Sequence, residues 1–143
     1  MMGSIQYLAG AIKRDLLTAL PYQRKTQRDK LALLVATMLH AKTANTMELA
    51  AELSIATERL DMRYQWISRF LSNPLLDVKE VITPLGRFVV EKLVEKRQTI
   101  ILVIDQTAIS KNLALLMVSV RWRERAIPLL WCVRRTSGNM GFE

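Results

Sequence analysis

Asp105 and Thr107 sit two places apart in "ILVIDQTAIS" (101–110), and their types and spacing suit chemistry on a charged substrate. A carboxylate delivered where an apolar run stops either closes a strand as a turn residue or ligates a metal. Taken alone, the turn is the commoner case. A second set is cationic. Arg121, Arg123 and Arg125 fall in "RWRER", and Thr57, Arg59, Arg63 and Arg69 in "ATERLDMRYQWISRF". Guanidinium groups at such spacing suit phosphates and base edges, although solvated turn charges or an ordinary basic helix face use the same residues.

The elements that must position these groups differ between the two parts of the chain. "TIILVID" (99–105) is apolar on both faces, as in a strand covered on both sides. "LALLMVSVRW" (113–122) and "RAIPLLWCVRR" (125–135) read as two further strands around a tight turn at Arg123 and Glu124, an antiparallel hairpin. Pro128 cannot donate to a ladder, so the third strand belongs at a sheet edge and the order is one, two, three. Cys132 and the two tryptophans, Trp122 and Trp131, are expected in core or hairpin packing.

Residues before Gln98 follow a helical period. From Thr26 to His40 the stripe is Leu31, Leu34, Val35, Met38 and Leu39, with Thr26 and Asp29 as a cap-like start and His40 near the C-terminal end. Asn45 with Glu48 resembles a capping box opening a short helix to about Leu53. After a turn at "SIAT", a helix from about Glu58 to Leu71 buries Leu60, Tyr64, Ile67 and Leu71, and Asn73-Pro74 ends it. Its other side then displays Arg59, Arg63, Trp66 and Arg69. A last helix runs from Pro84 to Arg97, with Leu85, Phe88, Val89 and Leu93 inward. Short helix, four-residue turn and longer helix give the outline of a helix-turn-helix, though a plain helical hairpin fits as well. Helices followed by strands place the chain in the α+β class.

Composition narrows the function classes. The 143 residues are 50% hydrophobic and 24% charged, a folded rather than disordered balance. No apolar run approaches the roughly 18 residues of a membrane span, and the N-terminus lacks a signal-peptide core. A lone cysteine excludes an internal disulfide, so the chain is expected to be cytoplasmic, with no membrane partner. The net charge is +8, divided as +5 over residues 1–98 and +3 over 99–143. Such an excess favours polyanions through counterion release.

The strand with Asp105, Thr107 two places on, and the hairpin "RWRERAIPLLWCV" together resemble insertion-sequence DDE transposases of the IS-four group. In that family D-x-T is followed by a strand pair containing R-A-(I/L)-P-L-x-W. Arg125, Ala126, Ile127, Pro128, Leu129 and Trp131 fill those positions. The likeness is specific over roughly 99–140 and only suggestive before it. It implies a ribonuclease-H-like sheet with its third strand at the edge, preceded by a DNA-binding region over 1–98. It also implies phosphodiester cleavage and strand transfer by two Mg²⁺ or Mn²⁺ ions held by three carboxylates, with Asp105 the first and Thr107 in support. The implied partners are transposon-end DNA and another transposase chain, in a bacterial cytoplasm.

One departure bears on activity. Beyond Asp105 the acidic residues are Glu124, in the hairpin turn, and Glu143, the last residue. The family's second Asp and its Tyr-Arg-Glu-Lys signature are missing. The expectation is therefore an N-terminal transposase fragment: residues 1–98 helical and 99–143 an incomplete catalytic sheet, not catalytic alone and without productive metal binding. The alternatives are a DNA-binding regulator or inhibitor of transposition, and a relic without partners.

Overall fold

The computed structural model describes residues 2–96, 99–136 and 138–140. Met1, Arg97, Gln98, Ser137 and the final three residues, Glu143 among them, lie outside the described residues. Five helices precede three strands: α1 Met2–Ala19, α2 Lys25–Ala41, α3 Thr46–Glu52, α4 Leu60–Leu71, α5 Val78–Glu95, β1 Leu102–Ser110, β2 Leu113–Trp122 and β3 Arg125–Arg134. The molecule is α+β. No described helix is long and apolar enough to cross a membrane. Contacts divide the chain into two compact units, Met1–Asp77 and Val78–Glu143, so α5 falls with the sheet rather than with the helices before it.

In the first unit α2 is the central helix. Leu34 packs with Leu49, Leu53, Ile67 and Phe70 on one side, while Ala36 meets Ile5 and Ala9 of α1 on the other. Two small residues facing each other there let the α1 and α2 backbones approach closely. This double burial corrects the single stripe expected for α2. Leu39 is 58% exposed, whereas Ala32, Ala36 and Thr37 are buried. A helix covered on two sides carries its apolar residues all round, and a one-sided pattern misreads it. The helix also starts at Lys25 with no side-chain cap, not at a Thr26–Asp29 cap. It ends, as expected, near His40, with Lys42 in the left-handed region (φ 55°) donating its N–H to the Met38 carbonyl at 2.8 Å. The α1–α2 link is tied by Arg28, which donates to the carbonyls of Leu20 and Pro21.

Asn45 caps α3 as expected: its Oδ1 accepts from the amides of Met47 and Glu48. Residues 53–59 then separate α3 from α4, a seven-residue connection where four were expected.

In the second unit the strand order is β1-β2-β3, antiparallel throughout, with Pro128 on the edge strand. A register shift between Val118 and Ser119 accommodates it. Helix α5 begins at Val78, six residues before Pro84, which lies inside the helix. Its inward side differs from expectation too, since Phe88 is 57% exposed and Leu85 39%, while Leu93 is buried. Gly86 lies against Leu129 of β3, where a Cβ would sit 3.6 Å from the leucine Cδ2. β1 is not covered on both faces. All its residues but Gln106 are exposed, because α5 packs chiefly against β3. Cys132 is likewise exposed rather than buried.

Candidate nucleic-acid interface

The orientation of α4 decides which cations are available. Ile67 and Phe70 are buried, Arg63 and Trp66 half-buried, and Leu60, Tyr64 and Leu71 exposed. The inward face is therefore 63, 66, 67 and 70, a little under a quarter of a turn (about 80°) from the expected stripe. The reason is that Trp66 stacks on Phe70 (centroids 5.8 Å apart, planes at 26°) and packs against the first unit's core. An aromatic pair at i, i+4 outweighs the smaller apolar surface of Leu60 and Leu71.

Two of the expected DNA-contacting arginines are consequently engaged within the protein. Arg63 donates Nε–H to the Thr57 carbonyl at 2.7 Å and Nη1–H to the Ala51 carbonyl at 3.0 Å, clamping the α3–α4 connection. Arg63 thus does not stand on the outer face. Arg59 grips Asp61 bidentately, Nε to Oδ1 at 3.2 Å and Nη2 to Oδ2 at 2.6 Å. That hydrogen bond holds the Asp61 carboxyl below its ordinary range and raises the guanidinium further. Thr57 Oγ1 accepts from the Arg59 amide at 3.3 Å, shaping the entry into α4. The exposed start of α4 therefore presents Glu58 and a neutralised Arg59–Asp61 pair.

Arg69 is different. It is exposed near the C-terminal end of α4 and lines a groove with Lys30 of α2, Thr57, Met62, Gln65 and Trp66. The groove encloses about 490 Å³ and no acidic side chain lines it. Sequence reasoning missed Lys30 and Gln65. No periodic signal on either helix relates Lys30 to Arg69; only the packing of α2 and α4 on a common core does.

In the second unit, Arg121, Arg123 and Arg125 are exposed at the β2–β3 turn. Arg123 is left-handed (φ 57°), as the tight hairpin demands, and its carbonyl accepts from the Arg121 Nε–H at 3.1 Å. Lys96 lies over the Trp122 ring at 5.3 Å, adding a fourth cation. Asp105 is the fourth residue of a nine-residue strand, not its terminus. It is exposed and opposite Met117, which is opposite Trp131, so the three share one sheet face. Thr107 Oγ1 donates to Asp105 Oδ2 at 3.3 Å. Among the described residues no three His, Cys, Asp or Glu side chains gather as a metal-binding group. A lone carboxylate with one hydroxyl does not make a two-metal donor set, so Asp105 and Thr107 alone do not fit a pair of Mg²⁺ or Mn²⁺ ions.

Comparison of the sequence with family models and with curated proteins, and of the chain with solved structures, gave no match.

Proposed function

We propose that this chain is a DNA-binding protein of DDE-transposase lineage, with the β2–β3 hairpin tip tracking phosphates. The observation that carries the reading is the exposed trio Arg121, Arg123 and Arg125, beside a strand pair filling the family's R-A-(I/L)-P-L-x-W pattern. Three guanidiniums with only Glu124 between them make a phosphate clamp rather than a balanced surface. Supporting the lineage are an antiparallel β1-β2-β3 order with proline on the edge strand and a carboxylate within β1. Both suit the opening of a ribonuclease-H-like sheet. Asp105 is then the first metal ligand of the family site, supported by Thr107, and catalysis requires further carboxylates to complete the donor set. Transposon ends and a second transposase chain are the partners this lineage implies, in the bacterial cytoplasm.

A second reading, a non-catalytic regulator of transposition, is favoured by the single carboxylate. The two share a first test, duplex binding across a salt series. Each phosphate contact adds about 0.9 to the slope of log affinity against log salt. Replacing Arg121, Arg123 and Arg125 together by alanine should flatten that slope by up to about 2.7. An unchanged slope removes the hairpin from the interface. Cleavage of transposon-end DNA with Mg²⁺, lost in Asp105→Asn, separates the enzyme from the regulator.

A further inference from the structure

The α4 groove and the start of α4 make opposite electrostatic demands. At the start of the helix, where a reading helix inserted into duplex DNA would meet base edges, stand Glu58 and the internally satisfied Arg59–Asp61 pair. Arg63, one turn on, is held inward by two of its donors on backbone carbonyls. This end of α4 therefore offers no net positive charge to a phosphate backbone. The groove beside it has the reverse character. Lys30 and Arg69 bring two cations with no ion pair among the described residues, no acid lines the wall, and Gln65 and Thr57 add hydrogen-bonding groups.

Its wall also includes an indole. Trp66 is half-buried and braced from behind by Phe70, so its ring is held in place before any ligand arrives. An aromatic ring in a wall that also carries two cations suits a ligand that is itself a flat π-system carrying phosphate. The volume, about 490 Å³, lies within the roughly 300–1,000 Å³ of ligand pockets. A stacked base pair in a duplex has its π-faces covered by neighbouring pairs and cannot enter. An unpaired base can, with its phosphates reaching Lys30 and Arg69.

We infer that this groove binds single-stranded DNA, stacking one unpaired base on Trp66 and holding the adjoining phosphates with Lys30 and Arg69. The inference rests on the reading of the chain as a DNA-binding protein, and it adds a site separate from the hairpin arginines.

The test uses the full chain with a mixed-sequence single strand and the matching duplex, at equal salt. Trp122→Phe and Trp131→Phe leave Trp66 as the only indole. Single-stranded DNA should quench Trp66 fluorescence. Trp66→Leu, which keeps an apolar filler against Phe70, should weaken single-strand binding at least about five-fold, the lower end for one lost stacked base. Arg69→Ala, at an exposed position outside the core, should weaken it and flatten its salt slope, with duplex binding unchanged in both variants. Unquenched fluorescence, or single-strand affinity indifferent to both substitutions, overturns the site while duplex binding through the hairpin stands. Loss of all DNA binding in the parent chain overturns both readings. A preference for single-stranded RNA exceeding ten-fold reassigns the groove and also overturns the inference.

Discussion

Arg59 and Asp61 show how local pairing sets what a residue can offer. The Asp61 carboxyl is held below its ordinary value, about 3.9 for an unperturbed aspartate, by the Arg59 hydrogen bond. A depressed carboxyl contributes above its unfolded value and stops contributing as pH falls through the lower folded value. The pair is thus intact at neutral pH and opens only in acid. Arg59→Ala should move the Asp61 titration midpoint, followed by carboxyl NMR, back up to the ordinary range; an unmoved midpoint would show that the guanidinium is not its cause. At Lys42, the left-handed cap of α2 (φ 55°) strains any residue with a Cβ. Lys42→Gly should raise the urea midpoint, by about 1 kcal/mol of stability, and Lys42→Val should lower it. All three residues are visible in the sequence, but their roles are not. Pairing at i, i+2 across a cap, and a left-handed lysine, follow from backbone geometry that side-chain periodicity does not encode.

At the scale of elements, strongly punctuated segments were legible and doubly packed ones were not. Pro128 correctly put β3 at an edge, and Asn45 correctly opened α3. Both rest on hydrogen-bond arithmetic local to one residue. The facing of α2 and α4 depended on partners instead. Two neighbours bury α2, and α4 turns its Trp66–Phe70 pair and Ile67 onto Leu34, Leu49 and Leu53. The stripe Ile5, Leu8, Ala9, Ile12 and Leu16 was available to reveal α1, but glycines at 3 and 10 and the absence of a first-turn acid dilute it. Proline misled in α5, because a helix start is its preferred place and the helix instead runs through it. Pro84 leaves the Glu80 carbonyl without its i+4 donor, so Pro84→Ala should stabilise the second unit by up to about 3 kcal/mol. Gly86→Ala adds a methyl at ordinary contact distance from Leu129, 3.6 Å, and should add about 1 kcal/mol. Chemical denaturation of each variant checks both; a fall in stability for Gly86→Ala would mean that α5 packs too tightly on β3 to admit a methyl.

For the whole molecule, apolar burial is unevenly distributed. The two clusters of buried apolar residues found among the described residues lie in the first unit, while β1 leaves Leu102, Val103 and Ile104 exposed at 56%, 43% and 69%. A three-strand sheet with one helix is near the lower limit of independent stability. Urea unfolding should therefore proceed in two steps, the second unit first, with Trp122 and Trp131 reporting before Trp66. A single coincident transition would contradict that independence. The bare β1 strand should also drive concentration-dependent association, which Ile104→Lys reduces without changing far-UV circular dichroism. Light scattering across a dilution series measures it. The site was less legible than the fold: Asp105 and the hairpin arginines stood out as residues, but the Lys30–Trp66–Arg69 groove exists only once α2 and α4 share a core.

The chain leaving β3 returns to β1 through one side chain. Gln106 donates Nε2–H to the Gly138 carbonyl at 3.3 Å and accepts from the Met140 amide at 2.9 Å. Neighbours along a strand point to opposite faces, so this bracket and Asp105 are on opposite sides of β1. A one-residue slip of β1 against β2 would exchange them, turning Gln106 out of the bracket and the carboxylate into it. An amide can both donate and accept there, and a carboxylate cannot donate. The bracket acts as a parity check on the sheet: it closes only when Asp105 faces the side it occupies here.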